Sequence, residues 1–81
     1  MALDKSVLLG FLDEKFGVDV ENLAADEPLF SSGMLDSFSM IDVLLLVETN
    51  VGKRINPADI SLENLDTVDR ILSFADQVAK G

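Results

Sequence analysis

Apolar residues fall into three separated runs with spacings of three and four positions, and no strand-length stretch alternates convincingly. Leu8, Phe11, Leu12 and Phe16 make the first run, Met40, Val43, Leu44, Val47 and Val51 the second, and Val68, Ile71, Leu72, Ala75 and Val78 the third. At 3.6 residues per turn each run lies on one face of a helix, so each must bury that face against its neighbours. A chain of 81 residues supports one domain, residues 1–81, with one thin core.

Capping residues sharpen the boundaries. The first helix is expected from Asp4 to Phe16, with Gly17 at its end, and Gly10 inside it costs up to about 1 kcal/mol relative to Ala. Asp36 suits an N-cap for a helix from about Ser37 to Val51, which Gly52 stops. Asn56-Pro57 reads as a cap followed by Pro at the first helical position, opening a short third helix through about Ile60. Asp66 or Thr67 then caps a last helix to about Ala79. Between Val18 and Leu35 runs a long connection in which turn residues alternate with apolar pins, Leu23, Leu29, Phe30 and Leu35. Loops of this length in small domains are often functional. The fold class expected is all-α, a four-helix bundle with three longer helices, one short third helix and a long first loop.

Composition narrows the chemistry. With no Cys and no His, the chain has no disulfide, no thiolate nucleophile and no ready general base near neutral pH. A self-contained hydrolytic or metal enzyme is therefore disfavoured. The longest apolar run, Val43 to Val47, is too short to span a bilayer, and the N-terminal residues lack the layout of a secretory signal. The expectation is a cytoplasmic, monomeric protein.

The formal net charge is -9, and from Phe16 through Gly52 there is no Lys or Arg. Asp19, Glu21, Asp26, Glu27, Asp36, Asp42 and Glu48 all fall in that stretch. Such a field repels nucleic acid and anionic lipid and steers basic protein surfaces toward it.

The second helix carries more apolar residues than one buried face uses. Ile41 and Leu45 lie beside the core stripe, on a line headed by Ser37, because positions four apart stand above one another. Asp36, Asp42 and Glu48 flank that line. An apolar strip with an acidic edge suits a partner bringing a hydrophobic groove and a basic rim, and equally a small bundle that buries this helix on most sides. Ser37 itself occupies the first turn, where backbone N–H groups and the positive dipole end favour a phosphate. Read by spacing alone, an Asp-Ser pair has little specificity, and Ser37 reads first as an ordinary capping residue.

The segment Gly33-Met34-Leu35-Asp36-Ser37-Phe38-Ser39-Met40-Ile41-Asp42-Val43-Leu44 resembles the attachment motif of acyl and peptidyl carrier proteins. In that family an Asp-Ser pair opens the second helix, an apolar residue follows, and an acidic residue stands five positions after the Ser. The loop Asp26-Glu27-Pro28-Leu29-Phe30, and the Asn56-Pro57 and Asp66-Thr67-Val68 segments, also fall where the family places its loop and later helices. Phe38 stands in place of the more usual Leu and Asp42 in place of the more usual Glu, which bears on the partner set.

The resemblance implies a non-catalytic carrier of the acyl-carrier fold. Ser37 would receive a covalent 4′-phosphopantetheine from coenzyme A through a phosphopantetheinyl transferase that brings its own magnesium. Asp36 would serve recognition by that transferase. Met34, Leu35, Phe38, Ile41, Asp42, Leu45 and Glu48 would meet partners: the transferase, an acyl- or aminoacyl-loading ligase, and a downstream synthase or transferase. Two residues, Met34 and Leu35, separate Gly33 from the Asp-Ser pair. That spacing, with Pro28-Leu29-Phe30 and Glu63-Asn64-Leu65-Asp66, looks more like standalone D-alanyl and aminoacyl carriers, or discrete carriers of secondary metabolism, than fatty-acid carriers. The competing reading is a small acidic adaptor that binds a basic partner and never bears the arm. A calcium-binding reading of the acids from Asp19 to Asp36 lacks the regular ligand spacing of a calcium loop.

Overall fold

The structure, a computed structural model, describes residues 2–80, so residues 1 and 81 of the expected domain lie outside it. The described residues are all-helical: α1 spans Lys5–Phe16, α2 Ser37–Val51, α3 Leu62–Leu65 and α4 Val68–Lys80. Single 3-10 turns occur at Val20–Asn22 and Pro57–Asp59.

Helix α2 begins and ends where its sequence says. Asp36 adopts an extended backbone and its side chain accepts the Ser39 N–H, the bond expected of an N-cap. At the other end Gly52 takes φ 78°, a left-handed conformation that lets its N–H return to the Glu48 carbonyl and close the last turn.

Helix α4 packs against α1, α2 and α3, so its inner face organises the core. That face presents Val68, Ile71, Leu72, Phe74 and Ala75, all buried. They meet Leu8 and Leu12 of α1, Val43 and Val47 of α2, and Leu65 of α3 in one cluster. Each of these side chains larger than Ala contributes about 1.5–3 kcal/mol by leaving water. The outer members of the expected stripes, Phe11, Phe16, Met40, Leu44, Val51 and Val78, are only half-buried. Phe11 and Phe16 pack edge to face, with ring centroids 5.6 Å apart.

The third helix is displaced from its expected position. Asn56 does cap, accepting the Ala58 N–H at 3.0 Å, yet only a 3-10 turn follows. None of Pro57–Asp59 is buried, so no packing supports a further turn there. The short α-helix lies instead at Leu62–Leu65, where fully buried Leu65 anchors it.

The long connection is tied down as its pins suggested. Leu29 and Leu35 are buried, Leu23 and Phe30 half-buried. Backbone bonds stitch it to the end of α3 and the start of α4, from Leu29 N–H to the Asp66 carbonyl (2.6 Å) and from Asp69 N–H to the Ala25 carbonyl (3.0 Å). Of the two candidate caps for α4, Thr67 does the work: its hydroxyl accepts the Arg70 N–H at 3.1 Å.

Candidate functional site

Ser37 is the first residue of α2 and is exposed. The carboxylate beside it is committed elsewhere, since Asp36 Oδ1 accepts both the Ser39 N–H and the Ser39 hydroxyl at 2.9 Å. Among the described residues nothing hydrogen-bonds the Ser37 hydroxyl, which leaves it open to an incoming reagent. The Ser39 N–H, then its hydroxyl, hold the Asp36 carboxyl below its ordinary range, so it is ionised near neutral pH.

Around the hydroxyl lies an exposed apolar strip. Phe38 is 78% exposed, Ile41 57%, Leu45 54% and Met34 41%. The first three recur at three- and four-residue spacing and so share a face of α2. Large exposed apolar side chains at helical spacing, beside a reactive group, are the signature of a surface made to be covered.

The other candidates separate. Asp42 is half-buried on the flank of the strip. Leu35, expected among the partner contacts, is only 4% exposed: with Leu29 it pins the loop into the core, out of a partner's reach. Glu48 is half-buried, and its Oε2 accepts the Ile55 N–H at 2.9 Å, fastening the end of α2 to the segment that follows.

Two residues take roles that the sequence reading did not give them. Ser39 could have been suspected, because an Asp followed three positions later by a hydrogen-bonding side chain is a capping pattern. Asp66 could not have been: its carboxylate reaches back to Phe30 and Ser31 of the loop, a contact with no local signature.

An exposed, uncommitted hydroxyl on the first turn of a 15-residue helix suits a phosphodiester, which the helix dipole and first-turn N–H groups stabilise. Comparison with known proteins bears on the family. The sequence model described as phosphopantetheine attachment site matches residues 6–75. The chain belongs to this phosphopantetheine-binding family. It is a carrier protein, and its cofactor is a covalently attached 4′-phosphopantetheine. When bound, the arm supplies a terminal thiol on which acyl groups ride as thioesters, chemistry that a chain without Cys lacks.

Among curated relatives of this carrier is the D-alanyl carrier protein of Streptococcus suis (strain 05ZYH33), 28% identical over 69 residues that span 85% of this chain and 86% of the relative. No solved structure matches significantly. Among the described residues no helix is long and apolar enough to cross a membrane, and no group of three acidic side chains is placed to hold a metal ion.

Proposed function

We propose that Ser37 carries the arm and that this protein presents aminoacyl groups, D-alanyl first among them, to partner enzymes. The observation that carries the reading is the Ser37 hydroxyl: exposed, at the head of α2 and without a hydrogen bond among the described residues, with the apolar strip running away from it. Its oxygen attacks the coenzyme A phosphorus that bears the pantetheine, giving up its proton to a base, forming the serine phosphodiester and releasing adenosine 3′,5′-bisphosphate as the pyrophosphate bond breaks. The transferase supplies the base, since this chain has no His.

Met34, Phe38, Ile41 and Leu45 form the docking strip, with Asp42 as its acidic edge. The transferase, a loading ligase and a downstream transferase or synthase use it in turn, so catalysis resides in the partners. Two features support an aminoacyl cargo: the similarity to a D-alanyl carrier protein, and the two residues between Gly33 and the Asp36-Ser37 pair.

Intact mass spectrometry tests the assignment. After incubation with coenzyme A, magnesium and a broad-specificity phosphopantetheinyl transferase, wild type gains the mass of one arm and Ser37→Ala gains nothing. An arm on Ser37→Ala would move the attachment elsewhere, and an unmodified wild type would favour the acidic-adaptor reading. The loaded form, offered to an ATP-dependent D-alanine ligase and separately to a fatty-acyl ligase, should accept the amino acid preferentially.

A further inference from the structure

Asp66 lies at the junction of α3 and α4 with 9% of its surface exposed. Its Oδ1 accepts the N–H groups of Phe30 at 2.8 Å and Ser31 at 3.0 Å, and its Oδ2 accepts the Ser31 hydroxyl. Its backbone carbonyl accepts the Leu29 N–H. One residue thus gathers four donors from three consecutive loop positions. Burying a carboxylate is unfavourable unless its oxygens are bonded, and these are. Thr67 supplies the side-chain cap of α4, and among the described residues the hydrogen bonds to the Asp66 carboxylate come from the loop.

From this anchor the loop closes on itself and delivers α2. The Leu35 N–H donates to the Leu29 carbonyl at 2.8 Å, and the Gly33 N–H to the Phe30 carbonyl at 3.1 Å. The Ser32 hydroxyl donates to the Pro28 carbonyl at 2.7 Å and accepts the Met34 N–H at 3.3 Å. Leu29 and Leu35 stand at the two ends of this turn, both buried. Only Asp36 separates the fixed Leu35 from Ser37.

We propose that Asp66 is a positioning residue for the modification of Ser37, holding residues 29–36 so that the head of α2 meets the transferase in a single geometry. The inference rests on Ser37 as the attachment residue. Without the carboxylate, the Phe30 and Ser31 donors lose their acceptor and the turn leading to Ser37 loosens. The transferase must then select a competent geometry from several, and that appears as a weaker KM for the carrier.

The test uses the full chain, coenzyme A, magnesium and a broad-specificity transferase, at a temperature where circular dichroism shows every variant folded. Initial rates are measured against carrier concentration for wild type, Asp66→Ala, Asp66→Asn and Asp76→Ala. Asp76 is the control: its Oδ1 accepts the Ala2 N–H at 2.9 Å, a long-range tie to α4 that does not involve the loop. Asp66→Ala should raise KM about tenfold with kcat within about twofold. Asp66→Asn keeps an oxygen acceptor for the two N–H groups and should recover much of the loss. Asp76→Ala should load like wild type.

Wild-type kinetics in folded Asp66→Ala would overturn the proposal, as would equal losses in Asp76→Ala at matched stability. Should Asp66→Ala fail to fold, Ser31→Ala decides in its place: it removes the hydroxyl that Asp66 Oδ2 accepts, should raise KM in the same direction, and an unchanged KM in it would overturn the proposal too. Arm loading of wild type but not of Ser37→Ala, established first, keeps a failure here separate from a failure of the attachment site itself.

Discussion

Asp66 grips Ser31 twice, by its backbone N–H and by its hydroxyl, although 35 positions separate the two residues in the chain. The Ser31 hydroxyl, then the Ser31 and Phe30 N–H groups, hold the Asp66 carboxyl below its ordinary value. A carboxyl whose folded pKa is depressed stabilises the fold fully above its unfolded pKa, about 3.9, and ceases to as pH falls through the folded value. The melting temperature of wild type should therefore exceed that of Asp66→Asn by a steady margin between about pH 5 and 7, and the margin should shrink below about pH 4. Asp36, also depressed, is common to both proteins and cancels in the comparison. A margin unchanged at the acid limit would show that the tie does not depend on charge.

Exposure on α2 separates docking from folding. Phe38→Ala and Ile41→Ala remove side chains that already face water, so urea unfolding should shift by no more than about 0.5 kcal/mol. Arm loading and ligase charging should nonetheless slow. Leu12→Ala, at a fully buried position of α1, should cost about 2–5 kcal/mol. A stability loss of that size for Ile41→Ala would place it in the core.

The two acids on the flank of α2 should behave differently. Asp42→Lys should slow association with a basic partner at low salt and converge on wild type as salt rises. Glu48→Ala leaves the partly buried Ile55 N–H without its acceptor and should cost about 1–3 kcal/mol of stability at any salt concentration. Stopped-flow association and denaturant titration, run on both variants, give the two readouts.

Two glycines offer opposite outcomes for the same substitution. Gly10 sits within α1 and a Cβ there meets nothing within 4 Å, so Gly10→Ala should stabilise by up to about 1 kcal/mol. Space is equally open at Gly33, but its φ of 85° disfavours any L side chain. Gly33→Ala should cost about 1–2 kcal/mol and slow arm loading, because the strain falls in the turn that delivers Ser37. Thermal melts and loading rates check both.

What could be read from the sequence was local. Asp36 and Gly52 bracket α2 by their own capping chemistry, so its ends, and Ser37 at its head, were legible from residues in direct succession. The four-residue α3 was not. Asn56-Pro57 is the stronger cap signal, whereas Leu62–Leu65 exists because Leu65 is packed beneath α4, a tertiary cause. For the same reason the structural ties of Leu35 and Glu48 were not legible: Leu35 is buried with the core, and Glu48 accepts the Ile55 N–H, contacts set by the tertiary fold. The pairing of Asp66 with Ser31 leaves no trace in spacing, since either residue alone passes for an ordinary cap or turn.

Because its hydrogen bonds to the junction of α3 and α4 fall at Ala25 and at Leu29 to Ser31, the connection should tolerate changes of length unevenly. An extra residue at exposed Glu21 or Asn22 should be borne more easily than one added after Ser31, which should swing the head of α2 off its bearing. Loop and aspartate therefore make one exchangeable unit written in two distant pieces of sequence. A graft of residues 25–36 into another carrier transfers its behaviour only if the acid travels with it.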